Sequence, residues 1–173
     1  MYTSKLAVHR LDYHTSGVIC FARNKYALKD LHRQFRSKRS AVYKRYIAKI
    51  AGHMETFDGE IDLPINRDHD RGPPFCKVGE GDTGKSSQTR WQVLSCHRED
   101  CSTLVYLFPT TGRTHQLRIH MAAIGHPILG DEFYAPQDVV NLSPKRLCLH
   151  AESLRIIHPR LGHEMEFCCD PRF

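Results

Sequence analysis

Hydrophobic residues near the start of the chain fall into two blocks with different spacing. The continuous run Val18-Ile19-Cys20-Phe21-Ala22 is typical of a buried strand, which we expect over residues 17–22. Asn24 follows as a suitable helix N-cap. The apolar residues after it recur at helical spacing: Ala27, Leu28, Leu31 and Phe35. The pattern therefore predicts a strand and then a helix that ends near Lys38.

Alternation between apolar and polar residues predicts further strands. Their expected ranges are 41–51, 88–95, 103–109, 146–157 and 164–168. In the first of them, the alternation places the Arg45 cation and the Tyr46 ring on opposite faces. In the second, it places Thr89, Trp91 and Val93 together on one face. The polar turn between the second and third ranges favours an antiparallel pair.

A second helix is expected just before Gly125. Leu117, Met121 and Ile124 follow at positions i, i+4 and i+7, and Gly125 suits the residue past a helix end. Arg113 lies where this helix is expected to begin. Strands outnumber helices, so we predict an α+β fold, with a mixed, largely antiparallel sheet and flanking helices.

Residues 67–87 contain four glycines and two prolines among charged residues, with few apolar groups. This composition predicts a long mobile loop. Long loops without secondary structure are uncommon unless they have a function. Two interpretations remain open, a clamp on a substrate and a simple insertion.

The chain has 173 residues, the size of one ordinary domain, and we expect a single domain over 1–173. Lys and Arg number 25 against 19 Asp and Glu, which gives a net charge of +6. This excess favours an anionic partner such as nucleic acid, although it is also compatible with a merely soluble protein. The outward face of the first helix shows the same ambiguity. Its cations can be solvated or can contact phosphates, and they are Lys25, Lys29, His32, Arg33, Arg36, Lys38 and Arg39.

The seven cysteines form no CxxC pair and follow no apolar signal segment, which favours free thiols in the cytoplasm. The twelve histidines match no common zinc-binding spacing, so we expect no metal site. A thiol or zinc enzyme is accordingly a weak alternative. No apolar stretch approaches the roughly 20 residues that a membrane helix needs, so we expect no membrane association.

Two polar stretches contain the candidate chemistry. His9-Arg10-Leu11-Asp12 leads into Thr15-Ser16-Gly17 and places one carboxylate in a predicted turn. By itself this favours an ordinary turn, because Asp, Ser, Thr and Gly are common turn residues. About a hundred residues later, the stretch 111–120 places Arg113 in a second turn ahead of the predicted helix.

Both stretches resemble motifs of the RluA-type pseudouridine synthases. They are His9-Arg10-Leu11-Asp12-x-x-Thr15-Ser16-Gly17 and Thr111-Gly112-Arg113-Thr114-His115-Gln116-Leu117-Arg118-x-His120, and they occur in the family's order. Gly125-His126-Pro127-Ile128-Leu129-Gly130-Asp131 belongs to the same resemblance. So do Lys44-x-Tyr46 and Arg146-Leu147-x-Leu149-His150-Ala151. The resemblance extends from about Val8 to the C-terminus and is strongest to the small single-domain branch.

The resemblance implies an enzyme that detaches uracil from its ribose in rRNA or tRNA stem-loops, turns it, and rejoins it through carbon. It implies the pseudouridine synthase catalytic fold, no cofactor, an RNA rather than a DNA partner, and a monomer. The family's catalytic aspartate corresponds to Asp12 and its base-stacking tyrosine to Tyr46. The arginine paired with the aspartate corresponds to Arg113, and the arginine that helps displace the base to Arg10.

The residue types suit this chemistry. A carboxylate can stabilise or capture the positive charge that develops at the sugar C1′ when a glycosidic bond breaks. A hydrolase would use a second carboxylate to direct water, whereas the two motifs together supply one acid and one arginine. Two alternatives remain: Tyr46 can pack in the core, and Arg10 can be a structural ion-pair partner. For His115, Gln116, Arg118 and His120 we expect structural roles.

Only eight residues precede the first motif, where members of the family normally have several dozen. The chain is therefore expected to be N-terminally short, with an incomplete sheet edge. This leaves a second functional hypothesis, a non-catalytic RNA-binding fragment of such an enzyme.

Overall fold

The computed structural model describes residues 6–37, 42–81, 83–141 and 146–173. Three helices and nine strands lie in these ranges. The helices are α1 (Lys25–Arg36), α2 (Gln116–Ala123) and α3 (Gln137–Asn141). The strands are β1 (Ser16–Gly17), β2 (Tyr43–Ala51), β3 (Asp58–Asp62), β4 (Ile65–Arg67), β5 (Cys76–Val78), β6 (Gln88–His97), β7 (Ser102–Pro109), β8 (Leu149–Ile157) and β9 (Glu164–Cys168).

Seven strands form one sheet in the order β1-β8-β2-β7-β6-β3, with β9 also paired to β8. Only the β1–β8 pair is parallel; β1 lies beside His150–Ala151, and β9 lies beside Ser153–Ile157. β4 and β5 form a separate two-stranded sheet. The predicted α+β class with a largely antiparallel sheet is therefore confirmed.

The central strands and α2 share the larger hydrophobic core. Ile50 from β2, Leu107 from β7 and Met121 from α2 are fully buried in it. A second core lies under α1, where Leu31 packs with Leu154 and Ile156 of β8. Both helices thus bury their apolar stripes, as the helical spacing of those residues requires.

The sequence located most of these elements. The Asn24 side chain accepts a 2.9 Å hydrogen bond from the backbone N–H of Ala27 and caps α1 as expected. The helix ends at Arg36, while Lys38 and Arg39 lie outside the described residues. β6 and β7 are antiparallel, and β6 buries Thr89, Trp91 and Val93.

The prediction of a strand over residues 17–22 was wrong. Only Ser16–Gly17 pairs as a strand there, and Phe21 makes an isolated bridge to Ala7. Ile19 is 42% exposed and Phe21 is 43% exposed. The chain leaves β8 after the backbone N–H of Val18 donates to the carbonyl of Ala151. Cys20 and Ala22 then hydrogen-bond through their backbones to Val8 and Leu6, which gives one isolated bridge and no continuous strand.

The prediction of a long loop over residues 67–87 was wrong in part. Cys76–Val78 within it is β5, which pairs with Ile65–Arg67. Buried Ile65 and Cys76 pack against Ile119 of α2 and so anchor this hairpin to the domain. The strand β3 and the short helix α3 were not predicted.

Buried polar side chains attach α2 and the segments beside it. The guanidinium of Arg118 donates to both carboxylate oxygens of Asp131, at 2.8 and 2.5 Å, and the two residues are only 2% and 1% exposed. His120 contacts the Thr89 hydroxyl at 2.9 Å and the Leu63 carbonyl at 3.0 Å. These contacts match the structural roles expected for Arg118 and His120.

Substitution of Asp131 by alanine should strongly destabilise the protein. The change leaves the buried Arg118 guanidinium without its anion and should lower the free energy of unfolding by about 3 to 5 kcal/mol. Asp70→Ala is the control, since it removes an exposed ion pair with Lys77 and should cost less than about 1 kcal/mol. Urea denaturation of both variants measures the difference, and equal midpoints would contradict the assigned role of the buried pair.

Candidate active site

Asp12 lies in a turn that is fixed at both ends. The backbone N–H of Thr15 donates to the Asp12 carbonyl at 2.9 Å and closes the turn. Immediately after it, Ser16 and Gly17 pair in parallel with His150 and Ala151 of β8. The position of Asp12 is thus set by a short anchor on the sheet rather than by a long strand.

Side chains reinforce this anchor. The His150 ring contacts the Ser16 hydroxyl through Nδ1 and the Cys169 carbonyl through Nε2, both at 2.8 Å. Because a carbonyl oxygen only accepts, Nε2 donates, and in a neutral ring Nδ1 then accepts from Ser16. Arg146 also donates to the Ser16 hydroxyl at 2.8 Å. The late motif around His150 therefore holds the early motif in place.

His9 attaches the beginning of the same segment to α1. Its Nε2 accepts a hydrogen bond from the backbone N–H of Cys20 at 3.0 Å. Its ring stacks on Phe35 with centroids 4.9 Å apart. Burial lowers the pKa of His9, which favours the neutral ring needed to accept this hydrogen bond.

Gln116 organises the turn that contains Arg113. Its side-chain carbonyl accepts from the Thr111 hydroxyl at 2.7 Å and from the backbone N–H of Arg113 at 3.0 Å. Its amide group donates to the Gln88 carbonyl and to the Thr89 hydroxyl. The turn is thereby fixed to β6, and Gln116 has the structural role expected for it.

His115 is the N-cap of α2, with a left-handed backbone (φ 55). Its Nδ1 contacts the Tyr134 hydroxyl at 2.7 Å, and burial lowers its pKa. The backbone N–H groups of Phe133 and Tyr134 donate to Asp131. Asp131 and Tyr134 therefore hold neighbouring loops together.

All four predicted site residues line one cavity of about 600 Å³: Arg10, Asp12, Tyr46 and Arg113. The segment with Asp12, the strand β2 and the turn after β7 form its walls. Tyr46 also packs against the larger core. Its side chain therefore faces the cavity, as a base-stacking ring would, and also contacts the core, which was the alternative interpretation. Burial, with a smaller effect from the negative charge of Asp12, raises the pKa of Tyr46 to about 12.

Arg113 and Asp12 share the cavity but do not form the expected ion pair. No ion pair within 4.0 Å in the described ranges includes Asp12. The Arg113 guanidinium instead donates twice to the Ser86 carbonyl, at 3.1 Å each. Its cation is held at the rim by the segment 67–87, which gives that segment a contact with the site.

Sequence reasoning did not place several other residues in the cavity. Lys44 lines it beside Tyr46, and the end of α1 contributes Phe35 and Arg36. The Lys44-x-Tyr46 spacing was a usable signal, because residues two apart on a strand share a face. The contribution of α1 had no such signal, since it depends on how the helix packs.

In the part of the chain that the structure describes, no three His, Cys, Asp or Glu side chains are grouped as metal ligands would be. None of the helices in this part is both long and apolar enough to cross a membrane.

Comparison with known proteins identifies the family of this chain. Residues 5–123 match the family model described as RNA pseudouridylate synthase. The chain belongs to this family. Pseudouridine synthases are isomerases, and the resemblance inferred from the two motifs is confirmed.

Similar proteins cover almost the whole chain. The dual-specificity RNA pseudouridine synthase RluA of Yersinia pestis is 48% identical over 167 residues, which are 96% of this chain and 78% of that protein. The Escherichia coli K12 protein of the same name is 45% identical over 166 residues, 96% of this chain and 73% of that one. The solved structure titled Human RNA Pseudouridylate Synthase Domain Containing 1 superposes with a TM-score of 0.82 at 36% identity, covering 95% of this chain and 68% of that one.

Substitution of Gly17 by alanine should disturb both the fold and the site of this synthase. Gly17 has φ +113, and a Cβ there would lie 2.2 Å from the Ala151 carbonyl oxygen. Because backbone cannot move aside cheaply, we expect a loss of about 3 kcal/mol in the free energy of unfolding. Activity should fall as well, since the anchor next to Asp12 is displaced.

Gly162→Ala is the matched control, because Gly162 also has a positive φ of +73 but nothing lies within 4 Å of its added Cβ. Its cost should be about 1 kcal/mol. Thermal and urea unfolding of the two variants measure this difference. If Gly17→Ala is as stable as Gly162→Ala, the close approach to β8 does not exist in solution.

Proposed function

We propose that this protein isomerises specific uridines to pseudouridine in rRNA and tRNA stem-loops, with Asp12 as the catalytic carboxylate. The observation that carries the proposal is the convergence of four residues, Arg10, Asp12, Tyr46 and Arg113, in one cavity. Its volume of about 600 Å³ is within the roughly 300–1,000 Å³ of sites that enclose small ligands. An everted nucleoside is a ligand of that size.

A uridine stacked in RNA must leave its stack before Asp12 can reach C1′, which costs a few kcal/mol. Stacking of the everted base on the Tyr46 ring returns part of this cost, about 1 to 3 kcal/mol. Arg10 lies in the same segment as Asp12 and fills the space that the base leaves. The residues of the proposed active site therefore act on a single everted nucleotide.

Asp12 then acts on the sugar, either by attack at C1′ or by removal of a sugar proton, and the C1′–N1 bond breaks. The uracil stays in the cavity, turns, and bonds to C1′ through C5, which releases the Asp12 carboxylate where it has attacked C1′. C5 then loses its proton and N1 gains one, so the product is an isomer of the substrate. Arg113 stabilises the charged Asp12 carboxylate once the RNA is bound. For that contact, its hydrogen bonds to the Ser86 carbonyl must be shared or released.

Charge on the surface supports an RNA partner. Lys25, Lys29 and Arg36 are exposed and fall within one stripe of α1 at positions i, i+4 and i+11. In the described ranges, no carboxylate lies within 4.0 Å of these three cations. Arg36 also lines the cavity. Of the two interpretations of this face, we therefore favour contact with RNA phosphates over simple solvation.

Two kinds of RNA target are proposed because relatives about 45% identical carry the name dual-specificity RNA pseudouridine synthase. We further propose that residues 1–173 act as one catalytic domain, as a monomer in the cytoplasm, on RNA and not on DNA. The seven free cysteines support a reducing compartment. The competing function is RNA binding without catalysis.

Replacement of Asp12 by asparagine or alanine should abolish pseudouridine formation. Removal of a carboxylate that acts at the reacting carbon is expected to lower the rate constant on the order of 10⁴-fold or more. Chemical detection of pseudouridine in rRNA and tRNA stem-loops measures it, with the exposed Asp170→Asn as a control of equal charge change. RNA binding with no product in the wild-type protein would establish the non-catalytic alternative.

Substitution of Lys25 and Lys29 together by glutamine should weaken RNA binding and reduce its salt dependence. On single-stranded RNA, the slope of log K against log salt should fall by about 0.7 for each phosphate that is no longer neutralised by a lysine. The control variant carries Arg90→Gln and Arg98→Gln, which remove two exposed cations outside the cavity and α1. Filter binding at several salt concentrations measures both slopes, and equal slopes would favour the solvated interpretation of α1.

A further inference from the structure

The cavity contains a lysine to which the proposed mechanism gives no role. Lys44 and Tyr46 are two positions apart on β2, so their side chains extend from the same face, and both line the cavity. The Nζ of Lys44 donates to the Thr111 carbonyl at 3.2 Å. A Cβ built on Gly112 would lie 3.9 Å from the same nitrogen. The ammonium therefore lies against the turn that leads to Arg113.

Lys44 has no anionic partner among the residues that the structure describes. None of the ion pairs within 4.0 Å in the described part of the chain includes it. Removal of a charged group from water without an opposite charge is unfavourable. Accordingly, burial lowers the pKa of Lys44 from 10.5 to about 8. At neutral pH the group is still mostly an ammonium, and an anionic ligand in the cavity would offset this cost.

The isomerisation produces such an anion inside the cavity. When the C1′–N1 bond breaks, its electron pair leaves with the base. The detached uracil carries a negative charge that is shared between N1 and the two carbonyl oxygens. It must stay bound in this form until C5 bonds to C1′. A preorganised donor that faces this developing charge is the kind of group that accelerates the step.

The positions of the other cations favour Lys44 for this role. The Arg113 guanidinium is bonded to the Ser86 carbonyl and is proposed to pair with Asp12 once RNA is bound. Lys44 instead lines the cavity from the same strand as Tyr46, the ring on which the base is proposed to stack. The phosphates of the RNA stay at the surface, where Lys25 and Lys29 are exposed. Lys44 is largely shielded from water, which suits a contact with the base and not with a phosphate.

We propose that the ammonium of Lys44 binds a carbonyl oxygen of the uracil and stabilises its negative charge while the base is detached from the ribose. This inference rests on the proposed isomerase activity and adds a catalytic residue to it. Lys44 thereby contributes to the chemical step more than to the binding of RNA.

Single-turnover kinetics with a saturating uridine-containing stem-loop RNA test the inference, together with the Kd of that RNA. Lys44→Met should lower the rate constant about 100-fold or more and change Kd by less than about threefold. Lys44→Arg keeps the charge and should retain much more activity than Lys44→Met. The control is Lys49→Met on the same strand, because Lys49 pairs with Asp100 and does not line the cavity, so it should match the wild type.

The pH dependence supplies a readout that a purely structural lysine would not change. The amine of Lys44 loses its charge as the pH rises through about 8, so the wild-type rate constant should fall there. Lys44→Arg should lack this decrease up to pH 9. The other ionisable residues that line the cavity are His9, Arg10, Asp12, Arg36, Tyr46 and Arg113. The pKa of His9 is lowered and that of Tyr46 is about 12, so neither produces a decrease near pH 8.

Two results would overturn the inference while leaving the proposed function intact. One is an unchanged rate constant in Lys44→Met. The other is a weaker Kd with a smaller salt slope and a normal rate constant at saturation, which would assign Lys44 to a phosphate. A wild-type protein that forms no pseudouridine would instead remove the proposed function, and this inference with it. Thermal unfolding of each variant identifies a loss of activity that comes from misfolding. If Lys44→Met is misfolded, the pH profile of Lys44→Arg decides whether the inference holds.

Discussion

The site depends on the pairing of three neighbouring strands, β8, β2 and β7. The Asp12 segment is anchored on β8 through Ser16–Gly17, Tyr46 is on β2, and the turn with Arg113 follows the end of β7. Because these strands are adjacent in the sheet, residues about a hundred positions apart come to line one cavity. The register of the pairs fixes their relative positions, since a shift by one residue would turn each side chain to the opposite face.

The cavity contains more positive than negative charge. Among the described residues that line it, Asp12 is the single acidic one, and the bases are Arg10, Arg36, Lys44 and Arg113, in addition to His9. Such an excess is unfavourable in the empty protein, because like charges repel and the partly buried Lys44 has lost hydration. An RNA strand with its phosphates and a base that becomes anionic would offset this excess. Stability is thus lower than it would be with a neutral cavity, and affinity for an anionic polymer is higher.

Several buried polar residues of the second motif hold the site in position and have no proposed part in the reaction. Gln116 fixes the turn with Arg113, while Arg118 and His120 bond to Asp131, Thr89 and Leu63 within the core. Each is buried, so each needs hydrogen-bond partners that only the correct fold supplies. A mispositioned turn would leave these groups unsatisfied. The same contacts that stabilise α2 therefore specify where the Arg113 turn lies.

The sequence by itself determined the elements with strong periodicity, namely α1 with its Asn24 cap, α2, the pair β6–β7, and the strands β8 and β9. The resemblance of its motifs to one family also predicted four site residues, and these line one cavity in the structure. Local patterns carry this information because helix and strand spacing depend on neighbouring residues. Only the tertiary structure decided that Val18–Ala22 is mostly not a strand, that Cys76–Val78 is one, and that Arg113 bonds to Ser86 instead of Asp12. The same is true of the packing of Lys44 and α1 around the cavity. All of these outcomes depend on residues distant in sequence and on which strand edges are free. Contacts between distant residues leave no periodic signal in the chain.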